Sequence, residues 1–309
     1  MDRRAVIDIG TNSVKILVAD VDGCSVIPLE ERAIQIRLGN CVYSGNYLTQ
    51  EAVERAVSAV NELLQLASNL NAKQIKIIAT SPLREIKNSD FLIQSIKEKF
   101  NVEVEIISGE KEAELSFMGV IDYLPDKKNK ILIADIGGGS SEFIFGENDK
   151  IKFLKSYQIG TVRYMLKFNV SDPPTQEEFL KCRKNIYDFM ERNIIKDLKY
   201  LTDFEGKSTD FVGTGGTITI LGRMILKENE FNRTKLENLK INYSNIKNLT
   251  KLLWQIPIAE RKKIPGLPQD RADVIIFGIL IYEVFMELAG LDSVFVSTRG
   301  LRFGAIKNF

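Results

Sequence analysis

The feature that most constrains this chain is a segment that occurs twice. The first copy reads AVIDIGTNSVKILVADV and the second reads LIADIGGGSSEFIFGEN. Three positions recur at the same spacing: Asp8 as Asp135, Gly10 as Gly137 and Ser13 as Ser140. Each copy predicts a strand, a tight turn beside an acid, and a second strand. Because the repeat is far longer than the period of a solenoid, it indicates two copies of one domain. Each copy would present an acid and backbone N–H groups at a turn, and two such turns facing each other would clamp an anion.

Length agrees with two domains, since 309 residues exceed what a single hydrophobic core usually supports. Strands alternate with amphipathic helices, which predicts α/β domains whose mostly parallel sheets are entered through an antiparallel hairpin. We assign residues 1–124 to an N-terminal domain and 125–309 to a C-terminal domain, with the last helix free to pack back on the first domain. Residues 125–129 are the predicted linker.

Three helix signals are strong enough to predict individual boundaries. Thr49 is predicted to cap a helix that follows it, and Thr175 with Glu178 to begin another. Residues 270–288 are predicted to form one long apolar helix.

Charge and hydropathy exclude several classes of partner. The net charge of +1 creates no global field that would attract nucleic acid or an anionic membrane, so we expect neither DNA nor membrane as a partner. No apolar run reaches the length of a membrane span, and the N-terminus enters a strand without the apolar core of a signal peptide. These features predict a cytoplasmic protein.

Histidine is absent from the sequence. Its absence excludes a Ser-His-Asp triad, a phosphohistidine intermediate and a histidine-ligated metal. Acid–base chemistry therefore falls to Asp, Glu, Lys, Tyr or Cys, and a metal would sit on oxygen ligands. The cysteines, Cys24, Cys41 and Cys182, fit neither a disulfide framework nor a zinc site, and we interpret them as bystanders.

Several further segments carry residue types suited to phosphate. Residues 213–217 (GTGGT) follow a strand and open a helix, a geometry that either binds an anion or packs a helix closely on a strand. Arg84 follows another strand, where α/β folds place ligand contacts, although a surface salt bridge is the common alternative. Arg163, also after a strand, is a weaker candidate for a phosphate contact. Glu112 lies in the first turn of a helix, where acids usually serve the helix dipole, as we expect of Glu110 and Glu114.

Together these segments resemble the actin-like phosphotransferase superfamily and, more specifically, the exopolyphosphatase and guanosine pentaphosphate phosphatase family. The matching segments occur in the family's order: IDIGTNSVKILVADV, ATSPLRE, IISGEKEAELSFMGV, IADIGGGSSEF, YQIGTVR, VGTGGTITIL, RADVIIFGILI and VSTRGLRFG. The resemblance covers essentially the whole chain. It implies a duplicated, ribonuclease H-like α/β fold with a central cleft, in the short two-domain form that lacks the family's C-terminal His-Asp domain.

The resemblance also implies roles for individual residues. Glu112 takes the position of the family's catalytic glutamate, which activates water, and Glu142 lies beside the second loop as a catalytic ligand of metal or water. Arg84 grips phosphate. The other implied substrate contacts come from three loops: Asp8, Gly10, Thr11, Asn12 and Ser13; Asp135, Gly137, Gly138, Gly139 and Ser140; and Gly215, Gly216 and Thr217. The implied metal ligands are Asp135, Glu142 and Asp8, and the implied ion is Mg²⁺ or Mn²⁺.

The chain departs from the family at Lys111, Glu114 and Phe303, where relatives often carry Glu, Arg and Glu. The first two departures change the charge pattern beside Glu112.

The resulting hypothesis is a Mg²⁺-dependent hydrolase that removes a terminal orthophosphate from polyphosphate, guanosine pentaphosphate or both. The alternatives are an actin-like phosphotransferase or ATPase, and a non-catalytic sensor of a nucleotide or alarmone. A homodimer is left open. If long polyphosphate is bound, a local track of cations is needed, and solvated helix faces are the alternative for each cluster. The candidates for the track are Arg163, Lys167, Lys181, Arg183, Lys184, Arg261, Lys262 and Lys263.

Overall fold

The computed structural model describes residues 1–23, 25–123, 130–201 and 209–309. The predicted linker, 125–129, and Cys24 lie outside these residues. Contacts divide the described chain into two compact units. The first comprises the residues up to 123 together with 299–309, and the second the residues from 130 to 298.

The first unit is built on one five-stranded sheet, in the order β3-β2-β1-β4-β5. Its strands are β1 (Asp2–Ile9), β2 (Ser13–Asp22), β3 (Ser25–Gln35), β4 (Gln74–Ala79) and β5 (Val104–Ile106). Strands β1, β2 and β3 form an antiparallel meander, whereas β4 is parallel to both β1 and β5. The helices of this unit are α1 (Gly39–Ser44), α2 (Gln50–Asn69), α3 (Ser81–Glu85), α4 (Ser89–Phe100), α5 (Gly109–Ile121) and, from the C-terminal segment, α14 (Leu301–Ala305).

Both faces of this sheet are buried, which explains the nearly continuous apolar run of β1. Ala5 and Ile7 join the core beneath α2 and α4, whereas Val6 joins a second core with residues of α5 and α14. Since side chains alternate along a strand, Asp8 shares the face of Val6. The fold thus directs Asp8 to the side of the sheet covered by α5 and α14.

The second unit repeats this plan. Its six-stranded sheet has the order β10-β11-β9-β6-β7-β8. The strands are β6 (Lys130–Ile136), β7 (Ser141–Glu147), β8 (Lys150–Tyr157), β9 (Asp210–Thr214), β10 (Lys240–Asn242) and β11 (Ser293–Val296). Strands β6, β7 and β8 form the same antiparallel meander, β9 and β11 continue in parallel, and β10 adds an antiparallel edge. The expectation of mostly parallel sheets is therefore wrong, because the hairpin extends to a third antiparallel strand in each unit.

The helices of the second unit cover this sheet. They are α6 (Thr161–Phe168), α7 (Gln176–Met190), α8 (Lys196–Lys199), α9 (Gly215–Leu226), α10 (Arg233–Leu236), α11 (Tyr243–Gln255), α12 (Ile258–Arg261) and α13 (Ile275–Ala289). A π-helical turn, Glu191–Ile195, joins α7 to α8. Among the residues that the structure describes, no helix combines the length and the apolar character needed to cross a membrane.

Two of the three helix predictions are confirmed, and the third is wrong at one end. Thr49 accepts a hydrogen bond from the Ala52 N–H at 3.2 Å, and Thr175 forms a capping box with Glu178. The apolar helix predicted to begin at residue 270 begins at Ile275. The residues before it are held instead by Arg261, whose guanidinium donates to the Ala272 carbonyl at 3.1 Å.

The C-terminal segment packs on α5 at unusually short range. A Cβ added to Gly304 would lie 1.9 Å from the carbonyl oxygen of Leu115, and one added to Gly119 would lie 2.3 Å from that of Gly300. Glycine at these positions allows α5 and α14 to approach until their backbones touch.

Candidate active site

The two repeated turns have the same backbone geometry. The Gly10 N–H donates to the Ser13 carbonyl at 3.1 Å, and the Gly137 N–H donates to the Ser140 carbonyl at 3.1 Å. Each bond closes a hairpin with a two-residue loop, 11–12 in the first unit and 138–139 in the second. The repeat predicted from the sequence is therefore a repeat in three dimensions.

The second loop and the Gly137 that precedes it are held by the start of α6. The N–H groups of Thr161 and Val162 donate to the carbonyls of Gly137 and Gly138, at 3.0 and 2.9 Å. In a planar trans peptide, the C=O of one residue and the N–H of the next point in opposite directions. Because these carbonyls face α6, the N–H groups of residues 138 and 139 point away from it. Successive N–H groups aimed to one side form the kind of concavity that binds an anion.

The first loop is held in a similar way by the residues that follow β3. The Asn12 carbonyl accepts from the N–H groups of Ile36 and Arg37, at 3.0 Å each, and the Thr11 carbonyl accepts from Gly39 at 2.9 Å. The N–H groups of residues 12 and 13 consequently point away from this support. In both units, the chain leaving the third strand of the meander orients the loop.

Asp8 is a buried acid whose carboxylate is not fully hydrogen-bonded by the described residues. It is 5% exposed, and its Oδ1 has no hydrogen-bond partner in the part of the chain that the structure describes. Burial raises the pKa of its carboxyl, while the positive charges of Lys15, Arg302 and Arg84 act to lower that pKa. Asn12 adds a buried Nδ2 that likewise lacks a partner among the described residues. Buried polar atoms are normally hydrogen-bonded, so this acceptor and donor favour a ligand or water at the first loop.

Asp135 and Glu142 form the corresponding acidic pair of the second unit. They lie opposite each other on β6 and β7. Glu142 is 1% exposed, and its Oε1 accepts a hydrogen bond from the Ser156 hydroxyl at 2.7 Å. The Asp135 carboxylate lies against the start of α9, where a Cβ on Gly215 would come within 2.2 Å of Oδ1. Gly215 has a φ of +82°, a conformation that favours glycine.

The same register in the first unit places Lys15 opposite Asp8. The internal repeat therefore has an acid–base pair in the first unit where the second has two acids. The sequence analysis did not select Lys15, although its alignment with Glu142 was visible in the repeat. It also missed Arg302, whose positive charge acts to lower the pKa of Asp8.

Glu112 and Arg84 are in direct contact. Arg84 Nη1 donates to Glu112 Oε2 at 2.9 Å and to the Ile107 carbonyl at 2.9 Å. The Arg84 side chain is 21% exposed and the Glu112 side chain 12%. Ser108 caps α5 by accepting from the Lys111 N–H at 3.1 Å, which fixes the turn that carries Glu112. The structure thus joins two residues that the sequence analysis selected separately.

The departures next to Glu112 compensate each other. Lys111 donates to Glu114 at 2.9 Å, three residues along α5. This ion pair has the opposite order of charges from the acid and arginine expected there, and both side chains are half-buried.

The third predicted loop has a mixed role. The Thr217 hydroxyl is buried and donates to the Ile136 carbonyl at 2.7 Å, so it fastens α9 to β6. A Cβ on Gly213 would come within 2.8 Å of the Tyr282 hydroxyl, which shows that this glycine serves close packing. A Cβ on Gly216 would meet no atom within 4 Å, which leaves room beside the start of α9.

Many of the cations suggested for a polyphosphate track have partners elsewhere. Arg261 is 1% exposed and donates to backbone carbonyls. Four others pair with polar side chains: Arg183 with Glu283 and Glu287, Lys184 with Asp188, Lys263 with Glu260, and Lys167 with Asn185. These contacts with neighbouring helices and with the core explain the positions of these five cations without a polyphosphate track. Cys41 and Cys182 are buried thiols, and burial raises the pKa of Cys182 to about 12.

The acids at each turn are candidates for a metal ligand. No three acidic or cysteine side chains converge as a metal-binding group anywhere in the described ranges. Mg²⁺ is usually held by one or two carboxylates together with water and substrate phosphates. Taken unit by unit, the buried Oδ1 of Asp8 in the first, and the paired Asp135 and Glu142 in the second, are oxygen donors of that type.

Comparisons with known proteins agree with this description. A bifunctional 3-dehydroquinate synthase/phosphatase of Fusobacterium nucleatum is 31% identical over 319 residues, covering 98% of this chain and 46% of that protein. This chain therefore spans less than half of that relative. Exopolyphosphatase 2 of Mycobacterium tuberculosis is 27% identical over 321 residues, covering 98% of this chain and 97% of that protein.

A solved exopolyphosphatase structure from Cytophaga hutchinsonii superposes with a TM-score of 0.87 at 28% identity, covering 98% of this chain and 96% of the other. The agreement with solved structures confirms the expected actin-like two-domain fold. The model of the Ppx/GppA phosphatase family matches residues 17–308, nearly the whole sequence. From this match, the chain belongs to the Ppx/GppA phosphatase family.

Proposed function

We propose that the protein hydrolyses the terminal phosphoanhydride bond of inorganic polyphosphate, with Mg²⁺ or Mn²⁺ as cofactor and with Glu112 as the base that activates water. The observation that carries this proposal is the shared contact of Glu112 and Arg84. The names of relatives such as exopolyphosphatase 2 support the choice of polyphosphate.

Arg84 is suited to hold a phosphate and the base at the same time. Both of its hydrogen bonds use Nη1, and in the described part of the chain Nε and Nη2 have no hydrogen-bond partner. The Nε–Nη2 edge of a guanidinium can hold two phosphate oxygens side by side. A phosphate bound there would lie next to the Glu112 carboxylate.

In the proposed reaction, a water oxygen attacks the terminal phosphorus and one water proton passes to Glu112. The bond from phosphorus to the bridging oxygen breaks, and the shortened polyphosphate leaves with the electron pair. With no histidine in the sequence, a carboxylate is the available base for this step. Phosphoryl transfer depends mainly on positioning and on neutralising charge, which loop N–H groups and Arg84 supply.

Asp8, Asp135 and Glu142 are the residues that would hold the divalent ion. The ion would neutralise phosphate charge when bound. The oxygen-only donors fit Mg²⁺ or Mn²⁺. The Oδ1 of Asp8, which no described residue hydrogen-bonds, is available to a cation or its water.

Guanosine pentaphosphate is a second candidate substrate, because it ends in the same phosphoanhydride group and the family description covers both phosphatase types. A sensor would not need a carboxylate fixed beside the proposed phosphate-binding arginine, so the position of Glu112 favours catalysis. A phosphotransferase can also use a carboxylate base, and the acceptor of the phosphoryl group is what separates it from a hydrolase.

The test is orthophosphate release from long polyphosphate, tripolyphosphate, guanosine pentaphosphate and ATP, with Mg²⁺, with Mn²⁺ and with EDTA. We expect release from polyphosphate that EDTA abolishes. In H₂¹⁸O, each orthophosphate released should carry one ¹⁸O atom, since water is the acceptor. Unlabelled product or transfer to another acceptor would indicate a phosphotransferase, and binding without turnover would indicate a sensor.

A further inference from the structure

The second phosphate loop is supported by a side chain as well as by backbone N–H groups. Arg163, in the first turn of α6, donates from Nε to the Gly139 carbonyl at 2.7 Å. Its backbone N–H also donates to the Gly138 carbonyl, at 3.1 Å. In the first unit, the bonds to the loop carbonyls of Thr11 and Asn12 come from backbone N–H groups. A side chain therefore completes the support of residues 137–139.

This support matters because the second loop consists of glycines. Three consecutive residues without side chains have wide backbone freedom, and no side-chain packing restricts them. Arg163 holds the Gly139 carbonyl and thereby fixes the plane of the peptide group that also contains the Ser140 N–H. Arg163 thus aims the Ser140 N–H to the same side as the N–H groups of residues 138 and 139.

The start of α6 is fitted closely to the loop. A Cβ on Gly160 would lie 2.4 Å from the Gly138 carbonyl oxygen. This contact leaves no space for the loop to move toward α6, and the hydrogen bonds prevent it from moving away. The Nε of Arg163 bonds a carbonyl of the loop, as do the N–H groups of Thr161, Val162 and Arg163 itself.

We propose that Arg163 is a positioning residue that orients the N–H groups of the glycine loop, and that it acts on the phosphate through the loop. The inference rests on the proposed phosphohydrolase function. It differs from the sequence-based interpretation, in which Arg163 reaches phosphate directly.

Two substitutions separate these interpretations. The bonding atom of Arg163 is Nε, and in glutamine Nε2 lies the same number of bonds from Cα. Arg163→Gln therefore keeps a donor for the Gly139 carbonyl and removes the positive charge. Arg163→Met keeps a side chain of similar length but has neither the hydrogen-bond donor nor the positive charge. If Arg163 positions the loop, Arg163→Met should lower kcat by about 10- to 100-fold, the effect expected for a charge-assisted hydrogen bond. Arg163→Gln should stay within about 3-fold of the unchanged protein.

Lys167→Met is the matched control, because Lys167 lies one turn further along α6 and its amine donates to Asn185. It should leave kcat unchanged. Equal losses in the Gln and Met variants would overturn the proposal in favour of a direct charge effect. Normal turnover in both would also overturn it.

Hydrogen–deuterium exchange of the loop peptide gives a readout independent of turnover. The amides of residues 138–140 should exchange faster in Arg163→Met, but at the normal rate in Arg163→Gln and Lys167→Met. Unchanged exchange in Arg163→Met would contradict the inference. A folded protein that hydrolyses no phosphoanhydride, yet shows this exchange pattern, would contradict the proposed function and leave the positioning role standing.

Discussion

Arg84 donates through a single nitrogen to Glu112 and to the carbonyl of Ile107, at 2.9 Å each. The carbonyl anchors the guanidinium at the end of the chain segment that leads into α5. The position of the Glu112 carboxylate is consequently tied to that of the cation proposed to hold the phosphate.

Replacing Glu112 by glutamine should reduce kcat by roughly 10²- to 10⁴-fold, the contribution of a general base. Substrate affinity should be retained, because Arg84 and the loops are the groups proposed to bind the phosphate. Steady-state kinetics and equilibrium binding of polyphosphate would measure the two effects. Glu110→Gln and Glu114→Gln are the controls and should remain active. A loss of binding in place of turnover, or equal behaviour of all three variants, would contradict the role of Glu112.

Arg84→Lys should impair both kcat and KM, although the charge is preserved. A lysine has no planar edge for two phosphate oxygens, and its three N–H donors cannot serve those oxygens, Glu112 and the Ile107 carbonyl together. Because the two residues act as one unit, the double variant Arg84→Lys/Glu112→Gln should be less impaired than the product of the single effects. Strictly multiplicative effects on kcat would show that the contact has no part in turnover.

Gly160→Ala should inactivate the enzyme with a comparatively small effect on melting temperature. The added Cβ would meet the Gly138 carbonyl oxygen at 2.4 Å, a backbone atom, so the glycine loop must shift. Gly45→Ala is the control, since its Cβ would meet no atom within 4 Å. Turnover and thermal melting would be compared for the two variants. Full activity of Gly160→Ala would mean that the loop tolerates displacement.

Glu178 should make the stability of the second unit depend on pH. Hydrogen bonds from Ser171, followed by those from Thr175, lower the pKa of Glu178 to about 2 from an ordinary value of 4.5. Because this pKa is lower in the folded state, ionised Glu178 stabilises the fold when the pH is above 4.5. The stabilisation is lost as the pH falls from 4.5 toward 2. Glu178→Gln should therefore lower the melting temperature at pH 7 more than at pH 3. An equal difference at both pH values would count against this linkage.

Local signals in the sequence predicted much of the fold. The repeat, with its acid, glycines and serine in register, predicted both hairpin turns, and the polar caps at Thr49 and Thr175 predicted two helix starts. Such features depend on residues close together along the chain. The late start of α13 was missed because a distant residue, Arg261, holds the Ala272 carbonyl.

The contacts within the candidate site were harder to predict for the same reason. Arg84 and Glu112 were each selected from their own segment, but their contact depends on how α3 and α5 pack around the sheet. Lys15 lies opposite Asp8 because of strand register, and Arg302 reaches the same neighbourhood from the far end of the sequence. Sequence position alone contains no signal for this last approach.

The approach of Gly304 to Leu115 has a consequence for biosynthesis. Residues 299–309 complete the first unit, yet the ribosome makes them after every residue of the second. During translation, the helix that carries Glu112 therefore lacks its neighbour α14, and Asp8 lacks Arg302, until the whole second unit has been synthesised. The first unit begins to form early, but it is completed only after the second, so a chain truncated before residue 299 should be inactive even though it contains every strand of both sheets.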